Sequence, residues 1–295
     1  MARRLGRFLP VVSVGLLAAL LSACGGPTSA LRRVTGSAND SEHDGVVQTA
    51  CGAYTRVDEG MLGREAELDG MPFLDVVLGT DDPCAPLPLV VVLHGLGAAP
   101  VLPRWPYADL GVAVRIVLPR GPVRWGSGYA WSSVRVLDHE PEGLAATLTV
   151  QADRVASFLD ALVADRSVVG RVVLTGFSQG AHVALATAMR HPEPIGLLFV
   201  LAGWAPPELR GPHLESSPPI RWMHGLEDER VPYELALECA TDLRSRGHDV
   251  ELVGIAGGRH TMSDAMDERF HGWLAQALRN QAEGRPLAEG LQLDP

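Results

Sequence analysis

Residues 172–182, VVLTGFSQGAH, place a serine between two glycines at the point where an apolar run gives way to a helical pattern. The Gly-x-Ser-x-Gly spacing of residues 176–180 is typical of a nucleophile elbow, a tight turn that exposes a serine hydroxyl between a buried strand and a helix. Such a serine attacks acyl carbon when a base takes its proton. A Gly-Ser-Gly segment can also be only a turn, so this interpretation of Ser178 depends on finding its partners.

A base and an orienting acid follow Ser178 in the chain. His260 lies in GGRHTM after the last predicted strand, and Asp228 lies in HGLEDERVP after the strand before it. His260 would take the serine proton and Asp228 would orient the imidazole ring. Glu227 and Glu229 flank Asp228 and remain alternatives for the acid. His94 and His224 each precede a glycine at a predicted strand end and are interpreted as turn-forming residues. His182 is interpreted as a packing residue and His271 as a residue on a helix surface.

Acyl transfer also needs N–H donors aimed at the developing oxyanion. The residue after the nucleophile, Gln179, supplies one backbone N–H. The loop HGLG at residues 94–97 follows an early apolar strand and is expected to supply the second, with Leu96 as the donor. Gly95 and Gly97 would allow the turn.

Apolar β-branched runs alternate with amphipathic segments from about residue 52 to residue 280. This alternation predicts an α/β fold with a mostly parallel sheet and helices on both faces. The loops at the carboxyl ends of the strands should then carry the chemistry. Strands are predicted at residues 72–78, 87–93, 112–118, 171–175, 195–201, 219–225 and 249–255, and helices at 144–165, 180–191, 232–247 and 261–280.

The first residues have the pattern of an export signal. A basic start and an apolar run from Phe8 to Leu21 predict an export signal at 1–23, and the sequence LSAC resembles a bacterial lipobox, which implies cleavage before Cys24 and lipid on its thiol. An ordinary signal peptide and an uncleaved anchor are the alternatives. Lipid on Cys24 would anchor the chain to a membrane. Residues 24–50 are expected to be a flexible tether, 51–280 the catalytic domain and 281–295 a polar tail. These features predict an exported bacterial lipoprotein that faces the periplasm or the cell surface.

Charge and cysteine content restrict the partners. The formal net charge is −10, and removal of residues 1–23, with three arginines and no acid, makes it −13. Such a surface repels nucleic acid and anionic lipid headgroups. Export permits disulfides, and Cys51 and Cys84, both before the long core strand, are the expected pair, with Cys239 buried. Neither a metal site nor a cofactor is expected, and the sequence does not assign an oligomeric state.

Five segments together resemble the phospholipase/carboxylesterase branch of the α/β-hydrolase family, which includes acyl-protein thioesterases: LVVVLHGLG, LPRGPV…GYAW, TGFSQGAHVAL, HGLEDERVP and GGRH. The resemblance covers roughly residues 72–280. It implies an α/β-hydrolase fold and a cofactor-free serine hydrolase acting on carboxylic esters or thioesters. The chain departs from the family pattern at Ala98-Ala99-Pro100 and at the Ser-Ser-Val after Trp131, both around the expected acyl pocket.

The substrate is expected to be a small-molecule or lipid ester. Residues 202–219 are too few for a large cap, which predicts an open site for short to medium acyl groups. Tyr129, Trp131 and Trp204 follow predicted strands and would line an acyl channel, although each could instead be a core residue. Lysophospholipids and thioesters remain open, as do a polyester depolymerase, a feruloyl-type esterase and a non-catalytic binding protein on the same scaffold.

Overall fold

The computed structural model describes residues 45–58, 60–102, 104–133 and 141–292. The predicted signal peptide 1–23 and Cys24 lie outside these residues. The strands are β1 Val46–Thr49, β2 Gly52–Asp58, β3 Met61–Leu68, β4 Met71–Leu78, β5 Leu89–Leu93, β6 Val114–Pro119, β7 Val123–Trp125, β8 Gly128–Ala130, β9 Val172–Phe177, β10 Ile195–Leu201, β11 Ile220–Gly225 and β12 Val250–Ile255. The helices are α1 Arg104–Tyr107, α2 Pro141–Asp165, α3 Gln179–Arg190, α4 Tyr233–Ser245 and α5 Asp264–Ala282, with a 3-10 turn at Pro207–Leu209.

Ten of these strands form one sheet in the order β1-β2-β3-β4-β6-β5-β9-β10-β11-β12. The six strands from β6 to β12 in this order are parallel to one another, whereas β1 to β4 are antiparallel to their neighbours and β4 pairs antiparallel with β6. The α/β fold predicted from the alternating pattern is therefore confirmed. The carboxyl ends of the parallel strands meet at one edge, and the candidate site lies there.

The central strands are apolar along their whole length because both faces of the sheet are covered. Every residue of β10 is buried. One core packs β5, β9 and β10 against α2, α3 and α4. A second core packs the opposite face against α1 and α5. Two packed layers around one sheet bury enough apolar surface to hold the strand ends in fixed positions.

Two predicted boundaries need correction. The predicted tether ends at residue 50, but β1 lies within it and pairs with β2. The predicted polar tail 281–295 is partly packed, since Leu291 is fully buried and Asn280 donates to the carbonyl of Glu289. Both segments look polar in sequence because only isolated side chains face the core.

The antiparallel strands are joined by an ionic cluster around Asp75, which is fully buried on β4. Arg115 on β6 donates to Asp75 Oδ1 at 2.6 Å and Tyr54 on β2 donates to Oδ2 at 2.8 Å. Arg64 Nε on β3 lies 3.2 Å from Asp75 Oδ2, and Arg166 Nη2, just after α2, lies 3.7 Å from the same oxygen. One carboxylate thus connects three neighbouring strands of the antiparallel edge with β6 and the end of a helix.

A disulfide joins the expected cysteines Cys51 and Cys84, whose Cα atoms are 5.7 Å apart and whose sequence separation is 33. The closed loop contains β2, β3 and β4. In the chain-entropy account a loop of this length stabilises the fold by roughly 3–4 kcal/mol. Arg64 also donates to the carbonyl of Cys51 at 2.7 Å, so the disulfide and the Asp75 cluster hold the same strands. The third described cysteine, Cys239, is a buried free thiol on α4.

Within the described ranges, none of the helices has the length and apolar character needed to cross a bilayer. The same ranges contain no grouping of three or more histidine, cysteine or acidic side chains suited to hold a metal ion.

Replacing Asp75 by asparagine should destabilise the protein strongly, because the buried Arg115 guanidinium loses its counter-charge. Breaking a buried ion pair from one side costs about 3–5 kcal/mol. Asp81→Asn is the matched control, since its pair with Arg56 is largely exposed and should contribute less than about 1 kcal/mol. Urea unfolding of both variants measures the difference. Equal losses in the two variants would contradict a stabilising role for the cluster.

Candidate active site

Ser178 occupies a strained turn between β9 and α3. Its backbone has φ 53° and ψ −119°, a conformation that residues with a side chain rarely adopt. The Ser178 N–H donates to the carbonyl of Leu201 at 2.9 Å, and its carbonyl accepts from the N–H of His182 at 3.1 Å. These bonds hold the turn between a strand and a helix that are both buried, so the hydroxyl projects from the carboxyl edge of the sheet.

The glycines on either side of Ser178 are required by close backbone approach. A Cβ on Gly176 would collide with the backbone of Gly180, and a Cβ on Gly180 would collide with the backbone of Leu93 at the end of β5. The turn therefore packs directly against the strand that leads into the 94–97 loop. This is the physical reason for the Gly-x-Ser-x-Gly spacing.

Ser178, His260 and Asp228 form a hydrogen-bonded chain. His260 Nε2 lies 2.7 Å from Ser178 Oγ, and His260 Nδ1 lies 2.7 Å from Asp228 Oδ2. Asp228 follows β11 and His260 follows β12, and these strands are adjacent and parallel. His260 is about one-tenth exposed, so the ring is shielded while its Nε2 side reaches the serine. The imidazole is in position to take a proton from the serine hydroxyl.

Asp228 is stabilised as a carboxylate. Burial by itself raises the pKa of Asp228, but hydrogen bonds to the charged form outweigh burial and hold the pKa well below its usual range. These bonds come from His224, His260 and the N–H groups of Val231 and Arg230. The acid therefore stays charged at neutral pH and can stabilise a positive charge on His260.

The alternative acids point elsewhere. Glu227 is exposed. Glu229 forms an exposed ion pair with Arg259 at 2.6 Å. Of the three adjacent acidic residues, only Asp228 is buried and bonded to His260.

The 94–97 loop lies against the nucleophile. A Cβ on Gly95 would be 3.6 Å from the Cβ of Ser178. Gly97 donates its N–H to Tyr129 and has φ 77°, whereas the Leu96 N–H makes no hydrogen bond within the described part of the chain. Gln179 is the first residue of α3, where helix N–H groups lack a carbonyl one turn earlier. The two predicted oxyanion donors thus lie on the segments that flank Ser178.

His94 shapes this loop as expected for a turn residue. Its Nδ1 lies 2.8 Å from the carbonyl of Gly95, and its Nε2 accepts from the N–H of Gly121 at 3.0 Å. These contacts assign the proton to Nδ1 in a neutral ring. Burial lowers the pKa of His94, which also favours that neutral form.

The side chain of Gln179 has a role that the sequence did not suggest. Its Oε1 accepts from the N–H of Trp131 at 2.8 Å, and its Nε2 donates to the carbonyl of Ser132 at 2.9 Å. The residue after the nucleophile therefore also holds the segment that follows β8. The hairpin of β7 and β8 was likewise missed, although Gly126-Ser127 between two aromatic residues is a hairpin signal.

The three aromatic residues predicted to bind substrate lie in different environments. Trp131 is fully buried, stacks on His94 and donates from Nε1 to the carbonyl of His94 at 2.9 Å. It has no exposed surface with which to contact a substrate, and instead packs against the 94–97 loop through His94. Trp204 is half-buried against the core, and Tyr129 is half-buried at the rim beside Gly97.

The rings of three other histidines singled out from the sequence form hydrogen bonds away from Ser178. His182 is buried on α3, where burial lowers its pKa to about 4, and its Nδ1 bonds the backbone of Trp204. His224 is buried and bonds the carbonyl of Val231 at 2.7 Å. His271 on α5 bonds the carbonyl of Pro106 at 2.8 Å. The burial of His182 agrees with its predicted packing role. His224 lies near the end of β11, where a turn residue was expected, and His271 is half-buried on α5.

Comparison with protein families places this fold and geometry in context. The family model described as Phospholipase/Carboxylesterase matches residues 80–275. The chain belongs to this family. The match excludes β1 to β4, which precede it.

Individual relatives in the family are distant. Carboxylesterase SOBER1 of Arabidopsis thaliana is 24% identical over 65% of this chain and 92% of its own length. Acyl-protein thioesterase 1 of Cryptococcus neoformans is 25% identical over 64% of this chain and 92% of its own length. The match to a probable carboxylesterase SOBER1-like protein of Arabidopsis thaliana spans only 44% of that protein. These relatives support assignment of the chain as a carboxylic ester hydrolase.

Solved structures agree with the fold. The crystal structure of esterase PE8 has a TM-score of 0.55 and 26% identity, covering 64% of this chain and 92% of PE8. The crystal structure of Arabidopsis thaliana SOBER1, at 20% identity, has a TM-score of 0.54 and covers 66% of this chain and 99% of its own. The structural likeness to SOBER1 concerns the fold alone.

The lowered pKa of Asp228 predicts how stability depends on pH. A carboxylate with a lowered pKa in the folded state stabilises the fold above its unfolded pKa of about 3.9, and that stabilisation is lost as pH falls through the folded pKa. Urea unfolding at intervals between pH 6 and pH 3 should therefore show a difference in the free energy of unfolding between wild type and Asp228→Asn that becomes smaller in acid. A difference that stays constant with pH would contradict the lowered pKa of Asp228.

Proposed function

We propose that this protein is a serine hydrolase that cleaves carboxylic esters, and also thioesters, through an acyl-enzyme on Ser178. The single observation that carries the proposal is the hydrogen-bonded chain from Ser178 Oγ through His260 to the buried carboxylate of Asp228. Membership of the phospholipase/carboxylesterase family supports the same reaction class. A binding protein without turnover would not need this arrangement at a strained turn.

In acylation, Ser178 Oγ attacks the carbonyl carbon and His260 Nε2 takes the hydroxyl proton. Asp228 keeps Nδ1 protonated and stabilises the imidazolium that forms. The carbonyl oxygen becomes an oxyanion, which the backbone N–H groups of Leu96 and Gln179 would stabilise. Collapse of the tetrahedral intermediate breaks the bond to the leaving group, which receives the proton from His260.

Deacylation repeats these steps with water. His260 Nε2 removes a proton from the water as its oxygen attacks the acyl carbon. The second tetrahedral intermediate then releases the carboxylic acid, and Ser178 Oγ recovers its proton from His260. These residues transfer the protons without a bound cofactor.

The proposed substrates are esters with short to medium acyl groups. The connection from β10 to β11 spans residues 202–219 and contains a 3-10 turn as its one regular element. Within the described residues, this connection is too short to form a large cap over Ser178. Half-buried Trp204 and Tyr129 flank the carboxyl edge of the sheet and would contact the acyl or leaving group.

We further propose that the protein is an exported bacterial lipoprotein anchored through Cys24 and facing the periplasm or cell surface. The basic start, apolar run and LSAC sequence support this assignment. The disulfide between Cys51 and Cys84 gives independent support, because such bonds persist in oxidising compartments.

Ser178→Ala should abolish turnover without unfolding the protein. Loss of a triad nucleophile lowers kcat by about 10⁴-fold or more. The measurement is hydrolysis of p-nitrophenyl esters from acetate to palmitate by the full-length protein, together with labelling by a fluorophosphonate. Ser245→Ala, a surface serine on α4, is the matched control and should keep both. Ester cleavage or labelling that survives in Ser178→Ala would contradict the assignment.

Cys24→Ser should prevent lipidation and release the protein from the membrane, because the cysteine thiol receives the diacylglyceryl group. Metabolic labelling with an alkyne fatty acid and membrane fractionation in a bacterial host test this. Cys239→Ser is the control, since that thiol is buried on α4. Lipid labelling that persists without Cys24 would contradict the proposed anchor.

A further inference from the structure

Tyr129, at the rim of the site, is held by two arginines. Arg120 Cζ lies 4.8 Å and Arg124 Cζ lies 5.0 Å from the centre of the tyrosine ring. Arg124 Nη1 donates to the Tyr129 hydroxyl at 2.9 Å, and Arg120 Nη1 lies 3.4 Å from the same oxygen. Both guanidinium groups therefore converge on one hydroxyl.

This basic pair, Arg120 and Arg124, has no acidic partner in the part of the chain that the structure describes. Among the described residues, neither guanidinium lies within ion-pair distance of a carboxylate, whereas Arg56, Arg190 and Arg285 each have one. Two adjacent positive charges repel each other, and an acidic side chain beside them would reduce that repulsion. Acidic residues outnumber basic ones in this chain, whose net charge is −10. Their convergence without an acid is what a receptor for an external anion requires.

The donors of the basic pair are also largely unused. An arginine has five N–H donors in a planar fork that matches a carboxylate or phosphate. Within the described residues, the hydrogen bond that each of these guanidinium groups makes is to Tyr129. The tyrosine oxygen accepts from them, so its own O–H remains able to donate to the same anion.

The fold places the basic pair beside the proposed oxyanion loop. Tyr129 exchanges two backbone hydrogen bonds with this loop, accepting from the N–H of Gly97 and donating to the carbonyl of Ala98, both at 2.8 Å. Gly95, two residues before Gly97, lies against Ser178. A short run of direct contacts thus connects the nucleophile to the basic pair.

A neighbouring groove limits where the anion can sit. It has a volume of about 350 Å³, and its lining includes Arg120, Pro100, Glu65 and Glu67. The two glutamates would repel an anion placed in this groove. The anion is therefore expected on the Tyr129 side of Arg120, next to Arg124.

We propose that Arg120, Arg124 and Tyr129 bind an anionic group of the substrate, so that the enzyme prefers esters carrying a carboxylate or phosphate near the scissile bond. This inference rests on the proposed esterase function and deepens it by naming a substrate class. The anionic group could belong to the acyl part of the substrate or to its leaving group, since both parts would extend from Ser178 along the carboxyl edge of the sheet.

The test compares acids with their own methyl esters. For the acyl part, the substrates are mono-p-nitrophenyl glutarate and its methyl ester. For the leaving group, they are 4-(butyryloxy)benzoate and its methyl ester. The readout is the ratio of kcat/KM for the acid to kcat/KM for the neutral ester, which cancels any general effect of a substitution on activity.

The double variant Arg120→Gln/Arg124→Gln should lower this ratio at least about tenfold in one of the two arms, mainly through KM, because both guanidinium groups would lose their charge-assisted hydrogen bonds to the anion. Arg120→Lys/Arg124→Lys should retain part of the preference, since the charge stays but the fork is lost. Arg269→Gln is the matched control, because Arg269 also lies over an aromatic ring, that of Trp273 on α5. It should leave the ratio unchanged.

Failure of this proposal and failure of the esterase function give different results. If neutral esters are cleaved in a Ser178-dependent manner but both ratios are the same in wild type and the double variant, the anion proposal is overturned and the esterase function stands. If no ester is cleaved, the amide analogues of the same acids and methyl esters are compared by calorimetry. Tighter binding of an acid, lost in the double variant, would still support the site, and equal binding would overturn it.

Discussion

The turn at Ser178 is the constraint on which the site depends. A side-chain-bearing residue in this conformation stores about 1–3 kcal/mol of strain, and it persists only where the surroundings over-determine it. Here α3 is buried along all but its last residue, and the Ser178 N–H is bonded to the end of β10. The packing of two glycines against the neighbouring backbone leaves the serine as the residue that can project outward.

Because the turn is held so closely, the surrounding loops are fixed through backbone contacts. Gln179 bonds the segment after β8, Trp131 supports His94, and Gly97 pairs with Tyr129. The two buried carboxylates, Asp75 and Asp228, are likewise surrounded by groups that stabilise their charge. The buried Asp75 has three arginines near it, and Asp228 has four hydrogen-bond donors. The pair Arg120 and Arg124 differs from these clusters, because neither guanidinium lies within ion-pair distance of a carboxylate among the residues that the structure describes.

The parallel half of the fold and the proposed triad could be predicted because each rests on local signals. Continuous apolar runs mark β9 to β12, and the proposed catalytic residues follow strands whose carboxyl ends must meet. The antiparallel strands β2 and β3 were missed because exposed charged residues interrupt their apolar positions. The burial of Trp131 depends on His94 and Gln179, which are distant in sequence, so its type and position alone could not distinguish a core residue from a substrate contact.

The antiparallel edge of the sheet supports the rim of the proposed site. Strands β1 to β4 precede the part of the chain that matches the family, and a disulfide and a buried ionic cluster hold β2, β3 and β4 together. Through β4 they pair with β6, and the N–H of Arg120 donates to Pro72 at 2.8 Å directly after β6 ends. The rim that carries Arg120 is therefore built on the stabilised edge of the sheet. A substrate group bound there would meet a receptor that needs little reorganisation, which is the condition under which an exposed pair of charges can contribute to selectivity.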